Sequence, residues 1–66
     1  MKVEKEFWIA RDCDKSLYIY GEYPEKSSFM YKIYSGNFLR IDSHLFPEVT
    51  WDNGPRKIKL TLELDE

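Results

Sequence analysis

Apolar and polar positions alternate along much of this chain with the two-residue period of β-strands. Residues 3–11 place Phe7 and Ile9 on one side and Trp8 and Ala10 on the other. Leu17-Tyr18-Ile19-Tyr20 resumes the alternation after a polar break, Asp12-Cys13-Asp14-Lys15-Ser16. Aspartate side chains bond nearby backbone amides and favour turns, so residues 5–20 predict a β-hairpin. Residues 21–28 predict a loop, in which Pro24 lacks a backbone donor. Residues 29–34 predict a third strand, Ser35-Gly36-Asn37 a turn, and Phe38 to Ile41 a short fourth strand.

The pattern then changes. In Asp42-Ser43-His44-Leu45-Phe46-Pro47 either Asp42 or Ser43 can cap a helix N-terminus, and Pro47 disfavours helical geometry at Phe46. This predicts a single helical turn near residues 42–47 that plugs one end of the sheet with Leu45 and Phe46. Val49-Thr50-Trp51 is expected to be extended, and Asp52-Asn53-Gly54-Pro55 to turn. Residues 56–64 alternate most regularly: Ile58, Leu60, Leu62 and Leu64 against Lys57, Lys59, Thr61 and Glu63. One buried and one wet face follow. Asp65-Glu66 is expected to be a solvated tail. The fold class is therefore all-β. The expected arrangement is an antiparallel sheet or small barrel of about five strands in a single domain, residues 1–66, with a small α+β arrangement as the alternative.

In the first three runs both faces carry large side chains, and eleven of the 66 residues are aromatic. One set, Phe7, Ile9, Leu17 and Ile19 with Ile58, Leu60 and Leu62, is expected to form the principal core. The other contains Trp8, Tyr18, Tyr20, Met30 and Tyr34. Three readings compete for it: the chain's own packing, a protein-binding face rich in interface-favoured Tyr, Trp and Met, or a surface stacking single-stranded nucleic acid.

Composition narrows the choice. A chain this short buries only about 60% of its unfolded surface and usually needs a staple. One cysteine excludes an internal disulfide, and one cysteine with one histidine is too few for the usual zinc sites. Ten basic and twelve acidic side chains are interspersed, giving a net charge of −2. Nucleic-acid affinity rests mainly on cationic contacts to phosphate, so that reading is disfavoured. The chain also lacks the basic–Gly–aromatic–Gly–Phe signature of an RNA-recognition strand. No run approaches the ~20 apolar residues of a membrane helix, and the N-terminal residues do not suit a signal peptide. A reducing cytoplasm is the expected location for the lone Cys13.

Catalytic chemistry finds little support. His44 could act as a general base with Asp42 nearby, but it sits in a capped surface turn. Cys13 lies between two aspartates, not in the electropositive setting of a nucleophilic cysteine. Asp12-x-Asp14-x-Ser16 opens like a calcium loop, yet Leu17 and Tyr23 stand where glycine and glutamate are required. Glu4 and Glu6 share a strand face but have no evident cleft. No enzyme activity, cofactor or metal is expected.

Phe7-Trp8-Ile9-Ala10-Arg11-Asp12, Leu17-Tyr18-Ile19-Tyr20 and Leu45-Phe46-Pro47-Glu48-Val49-Thr50-Trp51 together resemble segments of short proteins from gut Bacteroidales and their phages or mobile elements. That resemblance covers most of the chain and implies a bacterial context. It brings no activity, because the family has no assigned one. The resulting expectation is a non-enzymatic interaction domain whose partner is a protein or a second copy. The expected contact residues are Trp8, Tyr18, Tyr20 and Tyr34.

Overall fold

The computed structural model describes residues 1–65 as an all-β arrangement without helix. Six strands occur: β1 (Lys2–Arg11), β2 (Leu17–Tyr20), β3 (Glu25–Lys26), β4 (Tyr31–Lys32), β5 (Phe38–Ile41) and β6 (Arg56–Glu63). Four form an antiparallel sheet in the order β5-β2-β1-β6, and β3 pairs with β4 in a separate two-stranded sheet. The β1–β2 hairpin forms where the alternation places it, with Ile9 opposite Ile19 and Arg11 opposite Leu17. The main sheet stays open, with β5 and β6 at opposite edges.

Three local expectations need correction. Of the strand expected over residues 29–34, only Tyr31–Lys32 is paired, and it pairs outside the main sheet. Ser27 causes this: its N–H and its hydroxyl both donate to the Met30 carbonyl, at 2.8 and 2.7 Å. The chain therefore folds back on β3, inside a segment expected to be loop. Val49–Trp51 does not continue as a strand either. Thr50 and Asn53 bond reciprocally, backbone to side chain, at 2.9 and 3.3 Å, and close a turn.

The expected helical turn at 42–47 is also absent; two successive turns take its place. In them Leu45 N–H donates to the Asp42 carbonyl and Val49 N–H to the Phe46 carbonyl. The reason is Arg11. Its guanidinium donates to the carbonyls of Ser43 at 2.8 Å, Leu45 at 3.0 Å, Phe46 at 3.2 Å, Val49 at 2.6 Å and Lys15 at 2.9 Å. Carbonyls turned toward one planar five-donor group cannot also align along a helix axis. Phe46 adopts a left-handed φ of 49° in this wrap.

The molecule is elongated, 43 × 26 × 16 Å, with a radius of gyration of 12.5 Å, against about 11 Å for a compact chain of this length. The excess comes from β1 and β6. β2 pairs only with Trp8–Arg11 of β1, so the first half of β1 pairs with β6 alone and projects as a two-stranded arm.

Candidate functional site

The pleat divides the main sheet into two faces. Odd positions of β1, β2 and β5 and even positions of β6 form an aliphatic face, on which Ile9, Leu17 and Val49 are buried and Ile19, Ile41 and Ile58 partly so. The 42–49 wrap covers only the middle of this face. Beyond it Val3, Leu39, Leu62 and Leu64 remain exposed, Leu62 at 55% and Leu64 at 63%. Leu62 was expected in the core; the arm carries it past everything that could cover it.

The other face carries the aromatic set, and here the chain supplies its own cover. Trp8, Ala10, Tyr18 and Tyr20 come from β1 and β2, and Phe38 from β5. Tyr31, from the small sheet, lies against the fully buried Ala10 and Tyr20. The Tyr31 hydroxyl donates to the Trp51 carbonyl at 3.2 Å, and the two rings meet edge-on with centroids 5.3 Å apart. Trp8 packs edge-on against Tyr23 at 4.8 Å. Lys26 Nζ lies 4.3 Å from the Trp51 ring centre, and Lys57 Nζ lies 5.6 Å from that of Trp8.

The four expected contact residues are therefore placed differently from one another. Tyr20 is 3% exposed and Trp8 and Tyr18 are half-buried, whereas Tyr34 is exposed outside the packed layer. Tyr18 and Tyr20 line a mainly apolar cleft of about 170 Å³ together with Met30, Tyr31, Ile33 and Phe38, and Asp12 and Lys32 are its charged lining residues. Trp8 and Tyr34 do not line it.

Asp12 is nearly buried, and its carboxylate accepts the backbone N–H of Tyr31 at 3.0 Å. Burial pushes its pKa above the ordinary 3.8, the Tyr31 amide opposes this, and the charge of Asp14 adds to the rise. Burial likewise raises the Tyr20 phenol, reinforced by Asp12. Every buried side-chain polar atom among the described residues has a partner. The catalytic candidates are scattered. His44 is exposed and its Nδ1 lies 3.1 Å from the Asp42 carboxylate, which also accepts the His44 N–H. The His44 contacts lower the Asp42 pKa. Cys13 is exposed. Among the described residues no group of His, Cys, Asp and Glu is arranged to hold a metal, and no helix is long and apolar enough to cross a membrane.

Sequence reasoning missed the role of Arg11. An arginine at the last position of a strand on its apolar face is the available signal, because buried arginine stems bring a donor-rich head that must be satisfied. No protein-family model, curated protein or solved structure matches the chain.

Proposed function

We propose that this chain is a small non-enzymatic interaction domain, working in a bacterial cytoplasm, that binds a protein through apolar surface left open by its own fold. One observation carries this reading. Among the described residues twelve large apolar side chains are exposed, more than the six hydrophobic residues and Pro24 that are buried. Scattered exposed apolar groups are ordinary, but contiguous ones mark interaction sites. Here Met1, Val3, Leu62 and Leu64 gather on the aliphatic side of the arm, and Phe38 and Met30, 63% and 51% exposed, line the aromatic cleft. The total surface of 5118 Å² exceeds the roughly 4,500 Å² of a compact monomer of this mass.

The reading keeps the interaction role expected from the aromatic alternation and moves its weight. Tyr20 contributes to the wall of a cleft rather than to a flat face, and the aliphatic side supplies the larger open area. Single-stranded nucleic acid is less favoured: Lys26, Lys57 and Lys59 lie over rings or against carboxylates of the chain itself. A role for a mobile-element protein that binds and blocks a host protein fits the same surface.

Site-specific photo-crosslinking tests the reading. A photoreactive phenylalanine analogue at Phe38, Leu39 or Leu62 should yield protein adducts, and one at the polar, exposed Glu22 should not. Equal yields at all four positions, or none at the apolar three, would overturn it.

A further inference from the structure

β6 is eight residues long and lies at the outer edge of the sheet, where no strand of the described chain adjoins it. The opposite edge, β5, has only four residues. Long uncovered edges template pairing with another chain. The direction of the free backbone groups on β6 is fixed by one bond: Leu64 N–H donates inward, to the Met1 carbonyl, at 3.0 Å. Backbone groups alternate in direction along a strand. Ile58, Leu60 and Leu62 therefore turn theirs toward β1, and Lys57, Lys59, Thr61 and Glu63 present theirs outward.

We propose that two copies of the chain pair antiparallel along β6, with Thr61 facing Thr61 at the two-fold axis, to form one eight-stranded sheet. This rests on the interaction reading above and names the partner for one of its surfaces, the β6 arm. Charge complementarity selects that partner and the register. The strand is basic in its first half, with Arg56, Lys57 and Lys59, and acidic after Thr61, with Glu63 inside it and Asp65 just past its end. Antiparallel pairing of two such strands sets each basic half against an acidic half. With Thr61 at the centre, Lys59 stands opposite Glu63 and Lys57 opposite Asp65, each pair occurring twice; both lysines also sit against Glu4 and Glu6 of their own chain, but in exposed pairs that leave them within reach of a second carboxylate. A centre at Lys59 would set lysine against lysine. A centre at Leu60 would leave Lys59 opposite Thr61. A slip of one strand by a single residue would bring apolar positions opposite charged ones.

The same register acts on the open aliphatic face. It sets Leu60 against Leu62 and Ile58 against Leu64, covering the two leucines that the arm leaves 55% and 63% exposed. Two-stranded ribbons are marginal in water, and a neighbour on β6 turns the projecting arm into part of a four-stranded layer.

Sedimentation equilibrium of the full chain, with charge-swapped variants, tests the proposal. The wild-type chain should approach twice its 8.0 kDa mass at high micromolar concentration. Lys59→Glu and Glu63→Lys should each weaken the dimer about tenfold or more, since each creates two like-charge cross-strand pairs. An equimolar mixture of the two variants should restore association, because the mixed dimer regains both pairs. Thr61→Pro removes an outward N–H that the single chain does not use, so it should abolish the dimer while leaving the circular dichroism spectrum unchanged. A wild-type chain that remains monomeric overturns the proposal. A dimer indifferent to the charge swap and to Thr61→Pro overturns β6 pairing but leaves the interaction reading standing, since the crosslinks from Phe38 and Leu39 decide that separately.

Discussion

The backbone N–H of Tyr31 donates to the Asp12 carboxylate at 3.0 Å, across 19 residues of chain. This bond ties the β3–β4 sheet to the β1–β2 turn, and a second bond, from Cys13 N–H to the Phe29 carbonyl at 3.2 Å, reinforces the junction. Through it the cover over the aromatic face is held in place.

Asp12→Ala should destabilise the fold by about 1–3 kcal/mol, because it leaves the buried Tyr31 N–H without an acceptor. Asp12→Asn keeps an acceptor oxygen and removes a poorly solvated charge, so it should match or exceed the wild type at neutral pH. The sign follows from the raised pKa of Asp12. The folded state holds this proton more tightly than the unfolded chain, so ionised Asp12 weakens the fold near neutrality, and that penalty fades as pH falls through the folded pKa. Thermal melts of the two proteins should therefore converge in acid. A gap that widens on acidification would contradict the assignment.

Arg11→Lys should behave as a damaging substitution. Lysine cannot reach five carbonyls in a planar fork. The loss is expected at about 1.5–3 kcal/mol, the range for hydrogen bonds to charged groups. Hydrogen exchange should localise it: the Val49 N–H loses protection along with the 42–49 wrap, while the Ile9–Ile19 region of the hairpin keeps most of its protection.

Tyr20 gives an alkaline signature. Burial raises its phenol pKa, so the folded state retains a proton that the unfolded chain loses near pH 10. Stability is intact below that pH and declines above it. Tyr20→Phe should flatten the decline in chemical denaturation series above pH 10. It should cost little at neutral pH, because the hydroxyl's bond to the Tyr31 carbonyl is long, 3.5 Å. A steep loss at neutrality would show that this hydroxyl matters structurally.

Lys15 sits at a left-handed φ of 78° in the β1–β2 turn. Non-glycine residues pay roughly 1–2 kcal/mol in that region. Lys15→Gly should raise stability by up to about 1 kcal/mol after the entropy of the more flexible unfolded chain is deducted. The Arg11 bond to this residue uses its backbone carbonyl, and so survives the change.

The hairpin and β6 were legible because their signals are local. Alternation fixes which residues share a face, and the polar break at 12–16 fixes where the chain reverses. Both hold in the structure, as does the all-β class. The 42–47 segment was illegible for the opposite reason. Its carbonyls are claimed by Arg11, more than 30 residues earlier, and no cap or proline within the segment announces that. The candidate site divided in the same way. That Trp8, Tyr18 and Tyr20 share a face follows from their spacing. That Tyr31 and Trp51 would close over them depends on a hairpin only two residues deep and on the Asp12–Tyr31 bond.

The sequence by itself determined that this protein is a sheet with two apolar faces and no disulfide within the chain. Period-two alternation and composition carry that information residue by residue. Only the tertiary structure decided which face is closed. Cover is a long-range property: the segments that could cover either face lie between the strands, and local pattern does not say which way they fold. They fold over the rings, where Tyr31 finds Ala10 and the Asp12 carboxylate. The aliphatic side is covered only at its middle, and the outer edge of β6 has no neighbouring strand among the described residues.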